Sequence, residues 1–260
     1  MANLKDVKQY YIAYFDILGY KNFFEDENND IREFLHNVIH VCKETQEKAM
    51  HNSIVFDAEF IVKTFSDNFI IMLEPPEGIP DRSVLRVLAF ILARLQSHFL
   101  ENYHILIRGG ITKGDAYIDN DIVFGKGLIR AVELESSAVF PRIIIDKDTF
   151  LEKDCNYLLS KMVAKDNDGK FFVDYFQPIF EDETRVEVVR KVVKKLVKKY
   201  GKYNRKTKDE KKLYEAEKTI SKYAWLLCQF NEKCLEYGLN PIDYSLVFYY
   251  QIMKTEIEIK

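Results

Sequence analysis

The sequence predicts an α+β fold, an antiparallel sheet covered by helices and followed by a helical extension. Three observations carry this. Between Gln9 and Thr112, strand-type and helix-type segments follow the order strand, helix, hairpin, helix, strand. From about residue 180 the strand signals stop and the chain reads as long helices with charged faces. The composition is 47% hydrophobic, with 19 Phe and 16 Tyr against 10 Gly and 6 Pro, so 260 residues can bury a sizeable core with little linker sequence.

Gln9 to Ile17 (QYYIAYFDI) is an aromatic and aliphatic run that ends at Asp16 and then Gly19, the pattern of a buried central strand. Ile31 to Met50 places Ile31, Phe34, Leu35, Val38, Ile39 and Cys42 at helical spacing, so one face packs on the sheet. Glu59 to Phe65 and Phe69 to Leu73 are two strands separated by Ser66, Asp67 and Asn68, turn formers that predict a tight hairpin with Asp67 at its tip. Arg82 to Leu100 repeats apolar residues at helical spacing after the start signal Pro80-Asp81-Arg82-Ser83. His104 to Thr112 is another buried-type strand, followed by a short one near Ala116 to Ile118. This order is the split βαβ, or ferredoxin-like (βαββαβ), arrangement, with the helices expected on one face. Added elements follow: a helix from Lys126 to Ser136, a strand at Arg142 to Ile145 and a strand at Lys170 to Tyr175. Helices over Val186 to Val197 and Leu213 to Leu235 form the extension, giving a division into residues 1–180 and 181–260.

The N-terminus MANLKDVKQYY lacks the apolar stretch of a signal peptide, and no run approaches the roughly 20 apolar residues that span a bilayer. A cytoplasmic location with no membrane partner is the expectation. Cys42, Cys155, Cys228 and Cys234 form no CxxC pair and are expected as reduced, packed thiols. The net charge of −3 gives no bias toward nucleic acid, and no nucleic-acid partner is expected. The basic stretch from Arg190 to Lys212 carries its own apolar stripe, Val189, Val192, Val193, Leu196 and Val197, and reads as a solvated helix face rather than a nucleic-acid or membrane surface. His36 and His40 are one turn apart but have no third ligand, and no P-loop, GxSxG or dinucleotide fingerprint occurs.

Asp16 and Asp67 carry the chemistry. In the split βαβ sheet the first strand lies beside the central hairpin, so the end of one and the turn of the other can converge. Two divalent ions about 3.5–4 Å apart need carboxylates brought side by side with positions left open for phosphate oxygens. The Ile17 carbonyl can add an oxygen ligand, and a turn through Leu18, Gly19 and Tyr20 into a helix offers backbone N–H groups to a triphosphate. The competing reading of either aspartate is a turn former or helix cap.

YFDILGYKNFF resembles the first metal-binding strand of class III adenylate and guanylate cyclases. VKTFSDNFIIML resembles the second, IRGGITKGDAY the following core strand, and FGKGLIRAVELESSA the helix that carries catalytic Asn and Arg in those enzymes. FDILGY, FSDN, RGGIT, the ELE helix end, PRIIID and the late KYAWLLCQFN segment are most similar to the pyrimidine cyclases of bacterial Pycsar anti-phage systems, and the resemblance covers nearly the whole chain. It implies a class III cyclase catalytic domain in a homodimer with active sites at the interface. The substrate would be UTP, or alternatively CTP, converted to the 3′,5′-cyclic monophosphate and pyrophosphate. Asp16 and Asp67 would hold two Mg²⁺ or Mn²⁺ ions per active site, and Lys63, Phe65, Leu18, Gly19 and Tyr20 would contact the substrate.

The resemblance also has gaps. The positions of the transition-state Asn and Arg fall on Ile129 and Glu133, neither of which donates to a phosphate. Arg108 and Arg142 are the available replacements, since a guanidinium pairs two phosphate oxygens at once; a structural salt bridge is the alternative for each. Lys63 matches the position that reads the purine in adenylate cyclases, but its acidic partner position falls near Ile122, which points to a pyrimidine. A degenerate, nucleotide-binding or partner-binding chain is the second reading. Intermolecular nucleotidyl transfer of the GGDEF or GGDD type is disfavoured, because Ser66-Asp67-Asn68 holds one acid.

Overall fold

The computed structural model describes residues 7–20, 31–51, 60–74, 77–119, 121–158, 161–200 and 209–243. The chain forms two compact units, residues 1–99 with 105–177, and residues 100–104 with 178–260.

The first unit contains β1 (Lys8–Leu18), α1 (Ile31–His51), β2 (Phe60–Phe65), β3 (Asn68–Leu73), most of α2 (Asp81–Tyr103) and β4 (Leu106–Ile118). Their strands line up as β2-β3-β1-β4, all antiparallel, which is the ferredoxin-like βαββαβ sheet. The period-2 alternation of β1 gives its two faces different jobs. Tyr11, Ala13, Phe15 and Ile17 point to one side, where Phe15 stacks on Phe69 at 5.4 Å and the Tyr11 hydroxyl donates to Asp81 in the first turn of α2. Lys113 donates to the same carboxylate at 2.9 Å. Burial alone would raise the Asp81 pKa, and these donors more than offset it, leaving it lowered. Phe34 of α1 packs on Phe99 of α2 at 5.0 Å, so the two helices sit together.

The other face holds Tyr10, Ile12 and Tyr14 with Ile70, Met72 and Ala116. It is covered in part by α3 (Lys126–Ala138), which follows the short β5 (Val123–Phe124) paired with β4. Helices therefore lie on both faces, where the sequence pattern predicted one. Close approach of α3 depends on glycines. A Cβ on Gly114 would stand 2.7 Å from the Gly127 Cα, and one on Gly110 would stand 2.3 Å from the Leu134 Cβ.

Beyond β4 the sheet continues through β6 (Ile143–Ile145), parallel to β4, then β8 (Phe171–Val173) and β7 (Val163–Lys165). A short α4 (Glu152–Leu158) precedes β7. The predicted pair of strands at His104 to Thr112 and Ala116 to Ile118 is one strand. Its polar middle, Lys113 to Asp115, stays in register with Tyr11, Tyr10 and Gln9. On α1, Phe34, Val38 and Cys42 are buried as the spacing predicts, whereas Ile39 is 45% exposed; the side chains of Ile31 and Leu35 lie outside the described residues. Burial pushes the Cys42 thiol up to about 12.

Among the described residues α2 has the length and composition of a helix that could cross a bilayer, but most of it is buried inside the protein. Here Val84, Leu85, Leu88, Leu92, Leu95 and Phe99 are buried in protein.

The second unit contains α5 (Gln177–Phe180) from Pro178 onward, α6 (Glu183–Tyr200) and α7 (Glu210–Glu236). Val186, Val189, Val193 and Val197 of α6 and Trp225, Leu227 and Phe230 of α7 are buried. Asp209 caps α7 by accepting from the Lys211 and Lys212 backbone N–H groups. Lys191, Lys194, Lys195, Lys198 and Lys199 occupy the exposed side of α6.

Candidate active site

Asp16 and Asp67 are brought to neighbouring positions by the β1–β3 ladder. Asp16 is the register partner of Asn68, and the Ile17 N–H donates to the Asp67 carbonyl at 3.1 Å. Ser66 and Asp67 form a two-residue hairpin turn with Ser66 at φ 54, a left-handed conformation that tightens the reversal. Asn68 is the first residue of β3 rather than part of the turn. Within a strand residue the N–H and C=O point to the same edge, so the Ile17 carbonyl lies on the flank of β1 that carries Asp67.

Asp16 also faces Arg108 across the β1–β4 ladder. The Arg108 Nη2 donates to Asp16 Oδ2 at 3.0 Å and is ion-paired with Glu135 of α3. Tyr14, two residues before Asp16 and on the same face, donates to Asn68 Oδ1 at 2.5 Å, and Asn68 Nδ2 donates to Asp67 Oδ1 at 3.1 Å. The Tyr14 phenol is raised above its ordinary value, first by burial and then by the negative charge of Glu135, Asp16 and Asp67. Arg108 thus joins Asp16 and Glu135, while Asn68 joins Tyr14 and Asp67.

Lys63 and Phe65 of β2 pair with Ile70 and Asn68, so both belong to the Asp16 face of the sheet; Phe65 is 57% exposed. Leu18 ends β1, and Gly19 has φ +80, a left-handed conformation suited to glycine. Tyr20 follows, and the rest of the expected phosphate cradle falls on residues 21–30, outside the described residues.

Arg142 is not brought to this cluster. Its side chain is fully buried and paired with Asp166 and Asp168 in the β7–β8 turn, with Nε donating to the Ala138 carbonyl at 3.3 Å. Burial would raise the Asp168 pKa, but the Arg142 hydrogen bonds and charge outweigh it and leave the carboxyl lowered. Ile129 and Glu133 sit on the outward side of α3, with Ile129 61% exposed and Glu133 3.5 Å from Arg130.

Glu135 was not singled out by sequence reasoning. Its signal was helix phase: Gly127, Ala131, Leu134 and Ala138 make the buried stripe of α3, and Glu135 is the charged residue on it. Two carboxylates and a backbone carbonyl are hard oxygen donors that fit Mg²⁺ or Mn²⁺ when phosphate oxygens and water complete the shell. Among the described residues no group of three or more His, Cys, Asp or Glu side chains is arranged to hold a metal, so such a site depends on that completion.

No protein-family model matches the chain, and no curated protein matches it in sequence. Solved structures with a similar arrangement include the catalytic core of a rhodopsin-guanylyl cyclase with converted specificity in complex with ATPαS, at 17% identity and TM-score 0.41 over 65% of this chain and 97% of that one. Another is an adenylate/guanylate cyclase/hydrolase from Silicibacter pomeroyi, at 17% identity and TM-score 0.39, covering 64% and 95%. A class III adenylyl cyclase-like ATP-binding protein from Pseudomonas aeruginosa matches at 13% identity and TM-score 0.39 over 70% of this chain and 40% of its own length.

Proposed function

We propose that the chain is a metal-dependent nucleotidyl cyclase that converts a pyrimidine nucleoside triphosphate, UTP in preference to CTP, to its 3′,5′-cyclic monophosphate as an anti-phage messenger. The observation that carries the reading is the convergence of Asp16 and Asp67 at the β1 end and the β2–β3 turn. In the reaction the ribose 3′-oxygen bonds to the α-phosphorus, the bond from that phosphorus to the β-bridging oxygen breaks, pyrophosphate leaves and the hydroxyl proton passes to solvent. Asp16, Asp67 and the Ile17 carbonyl would hold two Mg²⁺ or Mn²⁺ ions, which when bound lower the pKa of the 3′-hydroxyl and neutralise the leaving group. Arg108 supplies a guanidinium beside Asp16 for the phosphate oxygens. Lys63 and Phe65, on the same face, border the base, and the Leu18-Gly19-Tyr20 turn approaches the phosphates.

The active unit is proposed to be a homodimer. Exposed Ile129 and Val132 on the outward side of α3 and exposed Phe65 give a second copy apolar surface to cover on the side that carries the carboxylates. Nucleotide binding without turnover is the second reading, favoured by Ile129 and Glu133 at the positions where the purine cyclases carry Asn and Arg.

Incubation with ATP, GTP, CTP and UTP in separate reactions containing Mn²⁺ is expected to release pyrophosphate from UTP or CTP alone. Preference for ATP would overturn the pyrimidine assignment. Inertness of folded, dimeric protein toward all four would overturn the enzyme reading in favour of the binding one.

A further inference from the structure

We infer that Glu135 is a positioning residue that holds the Arg108 guanidinium so that Asp16 can be released to a divalent cation. The inference rests on the proposed metal-dependent reading of Asp16 and Asp67.

Glu135 is a carboxylate on the sheet-facing side of α3, 7% exposed among Gly127, Ala131, Leu134 and Ala138. A carboxylate in such a place requires a charged or hydrogen-bonding partner. Its contacts are the Arg108 guanidinium and the Ser136 hydroxyl, which donates to Oε2 at 3.2 Å. Arg108 also stands opposite Asp16 in the β1–β4 register and is 3.0 Å from Asp16 Oδ2. The guanidinium is thus divided between two carboxylates, each at most 18% exposed. Both contacts fall on Nη2, which stands between Asp16 Oδ2 and Glu135 Oε1.

This sharing has a consequence for the metal site. A divalent ion on Asp16 and a guanidinium on the same carboxylate repel each other at short range. If Asp16 were the sole partner, binding a metal there would strand a largely buried cation. With Glu135 as second anchor, Arg108 can give up Asp16 while keeping a carboxylate, and it stays beside the phosphates it is proposed to bind. Asp16 and Glu135 share the one guanidinium, and Asp67 adjoins Asp16 in the β1–β3 ladder, so Asp67 adds a further oxygen donor for a divalent ion beside Asp16.

The test is Mn²⁺ binding to the full chain, followed by the electron paramagnetic resonance of free Mn²⁺, without nucleotide or turnover. Binding abolished by Asp16→Asn establishes the site. Glu135→Gln is expected to weaken Mn²⁺ binding about 10- to 100-fold, because Arg108 then settles on Asp16. Adding Arg108→Gln in that background is expected to restore most of the affinity, by a factor about fivefold or more larger than the same substitution produces alone. Equal factors in both backgrounds would mean that Glu135 contributes charge and nothing else, and would overturn the inference. Glu135→Asp, which keeps the charge and shortens the reach, provides a second readout if Glu135→Gln does not fold; unchanged affinity in that variant overturns the inference as well. Absence of Asp16-dependent binding in the wild-type protein overturns the metal reading itself, whereas Asp16-dependent binding with additive factors overturns the positioning role alone.

Discussion

Asp67→Asn is expected to lower nucleotide cyclisation by about 10²- to 10³-fold, the scale of losing one preorganised electrostatic group at a reacting centre. The fold should hold. Asn is at home in a two-residue turn, and its amide oxygen can still accept from Asn68 Nδ2, now 3.1 Å from Asp67 Oδ1. The Asp67 backbone carbonyl, which accepts from the Ile17 N–H, is untouched. The change in unfolding free energy is therefore expected within about 0.5 kcal/mol. Steady-state pyrophosphate release together with urea unfolding separates the two effects. Activity within tenfold of wild type would remove Asp67 from the site.

Arg142→Met is expected to have the largest effect on stability, a loss of about 3–5 kcal/mol, because it strips a buried carboxylate of its cation. Arg142 and Asp166 are 0% and 3% exposed, so water cannot replace the lost partner. The pairing also ties the β7–β8 turn to the end of α3, since Arg142 Nε donates to the Ala138 carbonyl. A shift in the urea midpoint at unchanged slope measures the loss, and a change below about 1 kcal/mol would contradict the account. The pH dependence follows from Asp168, whose carboxyl is depressed in the folded state. A depressed carboxyl contributes stability that is fully present above its ordinary value of 3.8 and is lost as pH falls through the lower folded value. Wild-type stability should fall in that acid range, and the Met variant should show a shallower fall.

The sheet core was legible where apolar periodicity was strong. The runs of β1 and β3 and the apolar spacing of α2 fell within a few residues of their observed ends, because each packs into the core and few alternative faces exist. Where polar residues interrupt a strand, pattern alone breaks it. Lys113-Gly114-Asp115 separates the two predicted strands, yet β4 runs straight through it, paired with Tyr11, Tyr10 and Gln9 of β1. At three residues, β7 is too short to show a period.

The candidate site divides in the same way. The adjacency of Asp16 and Asp67 was available from strand order, whereas their reading as metal ligands came from the family resemblance. The Asp16–Arg108 pair was available from antiparallel register, since the two face each other directly, but register is set by the whole sheet and not by either motif. Glu133 and Glu135 are chemically identical, and helix phase turns one outward and the other onto the sheet. Arg142 resembled a phosphate ligand as well as Arg108 did. Its partners, Asp166 and Asp168, are 24 and 26 residues away in a turn whose position depends on the tertiary fold.

The central claim is that this carboxylate cluster closes a ring within one nucleotide. The most direct measurement is ³¹P nuclear magnetic resonance of the products formed from UTP or CTP with Mg²⁺. The expected result is a 3′,5′-cyclic phosphodiester and pyrophosphate in equal amounts, both lost in Asp16→Asn and Asp67→Asn. Nucleoside diphosphate with orthophosphate, or a linear dinucleotide, would contradict it.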